Sequence, residues 1–422
     1  MGGIVTGRRR SSLCRLSPIA MSSQKRDFQE EKMSNVIVII PTYWTWGSER
    51  ADGPVEAVYD HPTPLDGEST LPRLLKSLTT LEGLQFSVLI LTAAAHPELE
   101  SAAADRVVGL IAPFRAYYPI AQATEADAAF IRERHPGLAD SVQMRGYAGV
   151  RNLQLLLPHA LGAEVIVALD DDEVVAPDYL QTALRFVGRG HEGERVLGLA
   201  GFYLDAHGGV MLPERPRTGN VFSDKSAIMN EGTRALQAAP DRLVPTPVAF
   251  GGNMVFHRDL FTSVGFDPAI TRGEDIDYVI NAHLAGYRFW LDKELVITHL
   301  PPEACGALPY AKLVQDVYRF VYEREKLRLA GVDAVQFDPY PGRFLRGDLE
   351  EQALAALQTE ATPDVIARFG PPEAIVAQAQ RHATEFAPRY SEFAARWSDL
   401  MEAIGQDAEL HERLLARFNQ PA

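Results

Sequence analysis

The chain has 422 residues, a formal net charge of −15 and 46% hydrophobic residues. That is enough apolar material for a sizeable core in about two domains, and too much for disorder of the whole. The acid excess argues against a general nucleic-acid binder, which needs a basic stripe, but leaves room for a local basic pocket. Cys14 and Cys305 are the only cysteines. A disulfide framework is therefore not expected, and a reducing, cytoplasmic setting is.

Residues 1–34 are basic, then mixed, and lack the apolar stretch of a secretory signal. They read as a disordered tail, with Met21 and Met33 leaving a later start open. No apolar run reaches the length of a membrane-spanning helix. NVIVIIP, 35–41, is continuous and β-branched, as in a strand buried on both faces of a parallel sheet. The polar, aromatic-dotted stretch after it is too long for an ordinary turn and reads as an insertion or functional loop. LPRLLKSLTTLEG reads as a helix ending at Gly83, and FSVLILTAAA, 86–95, as a second buried strand. Helices are expected at 98–112 and 125–134, then a loop and helix at 146–163.

EVIVAL, 164–169, is the next buried strand, and the alternation predicts an α/β sheet with helices on both faces. RVLGLAGFYLD, 195–205, is a further strand, and 206–243 reads as polar and holding a mobile loop. VAFGGNMVFHRDLF, 248–261, reads as strand, turn and helix start, and YRFWLDKELVITHL, 287–300, as a short strand pair. After Pro301-Pro302 the pattern becomes helical. The expected organisation is a tail over 1–34, a catalytic α/β region over 35–305 and a helical extension over 306–422.

The chemistry gathers on DDDE, residues 170–173, directly after the strand at 164–169. In an extended chain Asp170 and Asp172 point one way, Asp171 and Glu173 the other. Ligands of open parallel sheets collect beyond the carboxyl ends of strands. Two carboxylates on one side there suit Mg²⁺ or Mn²⁺, and through it a diphosphate. The bland reading is a solvated acidic turn capping the next helix.

Three further stretches weigh on the choice. GYAGVRNLQLL puts Arg151 and Asn152 near a helix start, where an anion is favoured, or where Arg151 merely pairs with a surface acid. Glu274, Asp275 and Asp277 follow a glycine; a carboxylate there can take a proton from an attacking hydroxyl, or simply favour the helix N-terminus. His299 ends an apolar strand, where it is a metal ligand or a lone strand-end imidazole.

In this order VIVIIPTY, AGVRNLQL, VIVALDDDEVVAPDYL, GGNMVFHRDLF and GFDPAITRGEDIDYVINAHLAGYRFWLDKELVITH resemble the GT-A glycosyltransferases, and most closely glycosyltransferase family 2. The resemblance spans about residues 35–300. It implies a GT-A fold with a mostly parallel sheet and a metal-dependent transfer of sugar from a nucleotide-diphosphate donor to a hydroxyl acceptor. The resemblance further implies Mn²⁺ or Mg²⁺ as the divalent ion, a UDP- or GDP-sugar as the donor, and a small molecule or glycan as the acceptor.

Residue by residue, Asp170 and Asp172 match the DxD pair, with Asp172 and His299 on the metal and Asp170 on the ribose or a metal-bound water. Arg151 falls on the nucleotide side, and Pro41, Thr42, Tyr43 and Asp171 are grouped with it as donor-binding. Gly251, Gly252 and Asn253 match a segment lining donor sugar and acceptor. Glu274 and Asp275 match the acidic pair that holds and deprotonates the acceptor, with Asp275 as the base.

The chain also departs from that pattern. Trp44-Thr45-Trp46 and the insertion replace the usual Asn-Glu-Glu, and TAAAHPELE replaces the usual Asp-Asp-Gly-Ser stretch. Tyr43, Trp44 and Trp46 can stack on a base or pack in a core. Inversion is expected. The alternatives are a retaining enzyme making a glycosyl-glycerate-type product, a sugar-nucleotide nucleotidyltransferase, or a non-catalytic GT-A-like binding protein. The helical extension is expected to cover the acceptor or form a homodimer contact, with Arg343 and Arg346 facing an anionic acceptor or lying in a surface loop.

Overall fold

The computed structural model describes residues 1–2, 35–50, 53–57, 59–302 and 309–419. The expected tail, its alternative start sites, both cysteines and the boundary near 305 lie outside the described residues. The chain divides into Met1–Lys32 and Met33–Ala422, and the second unit is the one considered below.

β1 (Val36–Thr45) runs past the expected strand, through Tyr43 and Trp44. β2 (Thr63–Pro64) returns to pair with Trp44 and Thr45, so the insertion is tied to the sheet. α1 (Leu71–Leu78) buries Leu71, Leu74, Leu75 and Leu78 at helical spacing and stops short of Gly83. β3 (Ser87–Ala94) and α2 (Glu100–Ile111) follow as expected. β4 (Ile120–Ala123) does not figure in the sequence reading, because IAQA is too short to show a period. α3 (Glu125–Arg134) starts on a capping box between Thr124 and Asp127. α4 (Tyr147–Ala160) and β5 (Val165–Ala168) complete the first half.

β6 (Glu173–Val174) takes up the end of the acid run. α5 (Tyr179–Ala183), the hairpin β7 (Gly190–His191) and β8 (Glu194–Arg195), and β9 (Gly198–Leu204) come next. The stretch 206–243 is not one loop: it contains α6 (Lys225–Ala238) and the start of β10 (Leu243–Pro245). β11 (Met254–His257), α7 (Arg258–Phe261) and α8 (Glu274–Leu284) follow. β12 (Phe289–His299) is one strand with a register shift between Leu291 and Val296, not a strand pair. The helical region comprises α9 (Pro309–Ala330), α10 (Leu349–Glu360), α11 (Pro363–Phe369), α12 (Pro372–Gly405) and α13 (Ala408–Phe418).

The main sheet runs β10-β12-β9-β11-β5-β1-β3-β4, with β2 on β1 and β6 on β12. β5, β1, β3 and β4 are mutually parallel, and β11 enters antiparallel between β5 and β9. β1 sends Ile37, Ile39 and Tyr43 into one apolar layer and Val38, Ile40 and Trp44 into the other. That two-sided burial explains its unbroken apolar run. From β1 the chain steps outward to β3 and β4, then returns to the other side of β1 with β5. The carboxyl ends of β1 and β5 thus lie side by side at a switch point, where such sheets bind ligands.

The helical region packs onto this sheet layer. Trp397, Met401, Ile404, Leu410 and Leu414 share a core with β1 and α4. Trp397 donates its indole N–H to the Phe261 carbonyl at 2.9 Å. α9 is joined to α8 by Lys326, buried, which donates to Asp267 at 3.0 Å, Asn281 at 2.8 Å and Asp277. Arg343 pairs with Glu231 and Arg346 with Asp338.

Candidate active site

The acid run does not continue as a strand. Asp171 and Asp172 form a turn between β5 and β6, so the four carboxylates do not alternate between two faces. Asp170 faces Arg151 (3.1 Å) and Asp172 faces His299 (3.2 Å). Glu173 folds back to accept the Asp170 backbone N–H at 3.1 Å. Asp171 turns to the Thr70 hydroxyl at the start of α1. Asp171 and Glu173 are both buried, so the bland reading of a solvated capping turn does not hold for them. Burial first, then the neighbouring carboxylates, push both well above the usual carboxylate range.

Arg151 is the hub of the positive side. It lies one turn into α4, buried, and bridges Asp170 to Glu274 (3.0 Å), with a further bond to Gln154 at 3.1 Å. It is therefore no surface partner. Burial alone would lower its pKa, but facing Asp170, Tyr43 and Glu274 raise it, so it stays charged. Burial drives the Glu274 carboxyl up to about 7, against the pull of Arg151. Burial would also lower His299, yet its hydrogen bond to the Asp172 carboxylate outweighs this and holds the imidazole above its ordinary value.

Gly251 and Gly252 form the floor. A Cβ on Gly252 would stand 2.6 Å from the Tyr203 hydroxyl and 2.8 Å from Asp170 Cγ, and would overlap Glu173 Oε1. A Cβ on Gly251 would overlap the Arg151 guanidinium. Only glycine lets this backbone approach the carboxylates. The Gly252 N–H donates to Tyr203 Oη at 2.6 Å, and the Gly251 N–H to Asp275 Oδ2 at 3.1 Å. Asp275 Oδ1 accepts from the Ile276 N–H at 2.8 Å. Asp275 is half-buried and, unlike Glu274, pairs with no cation among the described residues.

Not every residue expected in the site reaches it. Pro41 and Thr42 lie buried in β1; Thr42 Oγ1 accepts from the Trp44 indole at 2.9 Å. Asn253 is fully buried, accepting from Tyr179 and donating to the Phe202 and Leu295 carbonyls. Asn152 bonds Ser141 and Phe266, fixing loops. Trp44 is core, and Trp46 is buried with its N–H on the Pro54 carbonyl and Arg50 over its ring. Neither tryptophan is placed to stack on a base. Tyr43 does border the site, packed 4.4 Å from Tyr59 and 5.3 Å from Tyr147, with its buried hydroxyl without a hydrogen-bond partner among the described residues.

Sequence reasoning missed Glu173 as a buried member, Tyr203 and His61. Tyr203 sits on β9 with its ring 5.2 Å from His299. His61 comes from the insertion. Its ligand atom lies within 4.8 Å of those of Asp172 and His299. No spacing pattern could have found it, because the three residues come from separate loops and strands.

The site residues fit a divalent ion: a carboxylate and imidazoles converge beside a buried arginine at the end of a parallel strand. Residues 165–325, under half of the chain, match the family model described as glycosyl transferase family group 2. The match covers the acid run, the Gly251-Gly252 turn, α8 and His299. It bears out the expected resemblance to glycosyltransferase family 2, and the mostly parallel sheet is the fold that the resemblance implies. A search of curated proteins finds no match.

Among solved structures, the chain is similar to a mannosyltransferase from Pyrobaculum calidifontis in complex with GDP-Man and Mn²⁺. The identity is 17%, coverage 90% of this chain and 87% of that one, and the TM-score 0.43. It is also similar to the 1–349 portion of TarS from S. aureus, at 14% identity, 85% and 91% coverage and a TM-score of 0.37. No helix among the described residues is long and apolar enough to cross a membrane.

Proposed function

We propose that this glycosyltransferase moves a sugar from a nucleoside-diphosphate donor, a UDP- or GDP-sugar, to a hydroxyl acceptor in a metal-dependent reaction. The observation that carries the reading is the convergence of two charge systems at the switch point. Asp172 and His299 meet at 3.2 Å, and Arg151 stands beside them between Asp170 and Glu274. Asp172 and His299 would hold the ion. A divalent ion there supplies charge neutralisation for the departing diphosphate.

The chain's own residues then divide the work. Arg151, buried and permanently charged, adds fixed positive potential where phosphate charge develops, in a setting that water screens weakly. Glu274 and Asp170 hold Arg151 in place from opposite sides. Gly251 and Gly252 keep the floor open to a sugar ring. Asp275 has accepted two backbone N–H groups and has lone pairs to spare. It can take the proton of an acceptor hydroxyl, which fits an inverting displacement.

A panel of nucleotide sugars tested by thermal shift with Mn²⁺ checks this reading. One UDP- or GDP-sugar should raise the Tm only when the metal is present, through linkage to the folded state. If no nucleoside diphosphate or its sugar shifts the Tm with or without metal, the transferase reading falls.

A further inference from the structure

We propose that His61 is a third protein ligand to the metal. The insertion after β1 would then complete a His61–Asp172–His299 site selective for a borderline ion such as Mn²⁺ over Mg²⁺. This rests on the reading of Asp172 and His299 given above, and adds a ligand from outside the segment matched by the family model.

Four observations carry it. The ligand atoms of the three residues lie within 4.8 Å of one another, so small side-chain rotations let one ion reach all three. His61 Nδ1 is buried and has no hydrogen-bond partner among the described residues. A packed imidazole would be expected to find one. The rings of His61 and His299 meet edge-on at 6.0 Å.

Finally, His61 is held from both sides. Two residues on, Thr63 and Pro64 pair with β1. One residue back, the Asp60 N–H donates to Tyr147 Oη at 2.7 Å, and its carboxylate meets Lys312 at 2.9 Å and Arg272 at 3.3 Å. Those anchors span β1, α4, the lead-in to α8, and α9. The insertion is built to present this side chain.

The donor set decides the ion class. Two imidazoles and one carboxylate suit Mn²⁺, Co²⁺ or Zn²⁺, whereas Mg²⁺ favours oxygen ligands and retained water.

The test is Mn²⁺ titration of the EDTA-stripped full chain, reading free Mn²⁺ by electron paramagnetic resonance, with Mg²⁺ as competitor. His61→Ala should weaken Mn²⁺ binding by about 10-fold or more and narrow the preference for Mn²⁺ over Mg²⁺. His61→Asn serves as a second variant, and metal-free melting curves report whether either change disturbs the fold. Mn²⁺ affinity within twofold of wild type in both variants overturns the proposal. If Asp172→Asn alone abolishes binding, His61 is no ligand while the metal reading stands. If the wild-type chain binds no Mn²⁺, both fall.

Discussion

Single residues show most clearly how the site trades stability for chemistry. Burying Asp171, Glu173 and Glu274 beside the half-buried Asp170 is unfavourable unless cations face them, and among the described residues Arg151 is the buried cation that faces Asp170 and Glu274. Glu274 makes this testable. Its carboxyl is pushed up to about 7 by burial, from an ordinary 4.5. The folded state therefore binds that proton more tightly than the unfolded state does. Stability from this group is greatest below pH 4.5 and declines as pH rises towards 7. Glu274→Gln keeps an oxygen for Arg151 but removes the titration. Urea midpoints measured from pH 4.5 to 8 should fall less steeply in the variant than in wild type. Parallel profiles would refute the assignment.

The acid run announced this site in the sequence because four carboxylates after a buried strand demand a counter-charge. What it could not show is their separation into different surroundings. That depends on a turn at 171–172, on a glycine floor some eighty residues away, and on where Arg151 lies. The same limit hid His61, which comes close to Asp172 and His299 only through the fold, from a position distant in sequence.

Elements were legible where one period dominates. β1, β3 and β5 read as buried strands because both faces are apolar, and α1 because its leucines recur at helical spacing. β12 read as two strands because its register shift falls beside Asp292-Lys293-Glu294, which break the apolar pattern. α8 carries acids that sequence alone could not sort. Glu274 and Asp275 face the site, whereas Asp277 is turned to Lys326 of α9. Lys326→Met should strand Asp267 and Asp277 without the buried cation that hydrogen-bonds both, costing about 3–5 kcal/mol. Denaturant unfolding would measure it, and a loss under 1 kcal/mol would show that the network relaxes without harm.

For the whole molecule, the change to helical pattern after Pro301-Pro302 was visible, but its packing was not. Trp397 and Leu414 join the core beneath β1, and α9 backs the site helix through Lys326. Helical periodicity reveals that a face is apolar, not what it will cover. The result is that a single folded unit, Met33–Ala422, carries the sheet, the site and the helices behind it. The central claim is that the end of β5 in this unit is a metal-dependent glycosyl-transfer site.

The most direct measurement of that claim is Mn²⁺-dependent release of nucleoside diphosphate from the donor identified by thermal shift, compared between wild type and Asp172→Asn. The account predicts metal-dependent release in wild type and a loss on the order of 10²-fold or more in a folded variant. Undiminished release by Asp172→Asn, or equal release in EDTA, would contradict it.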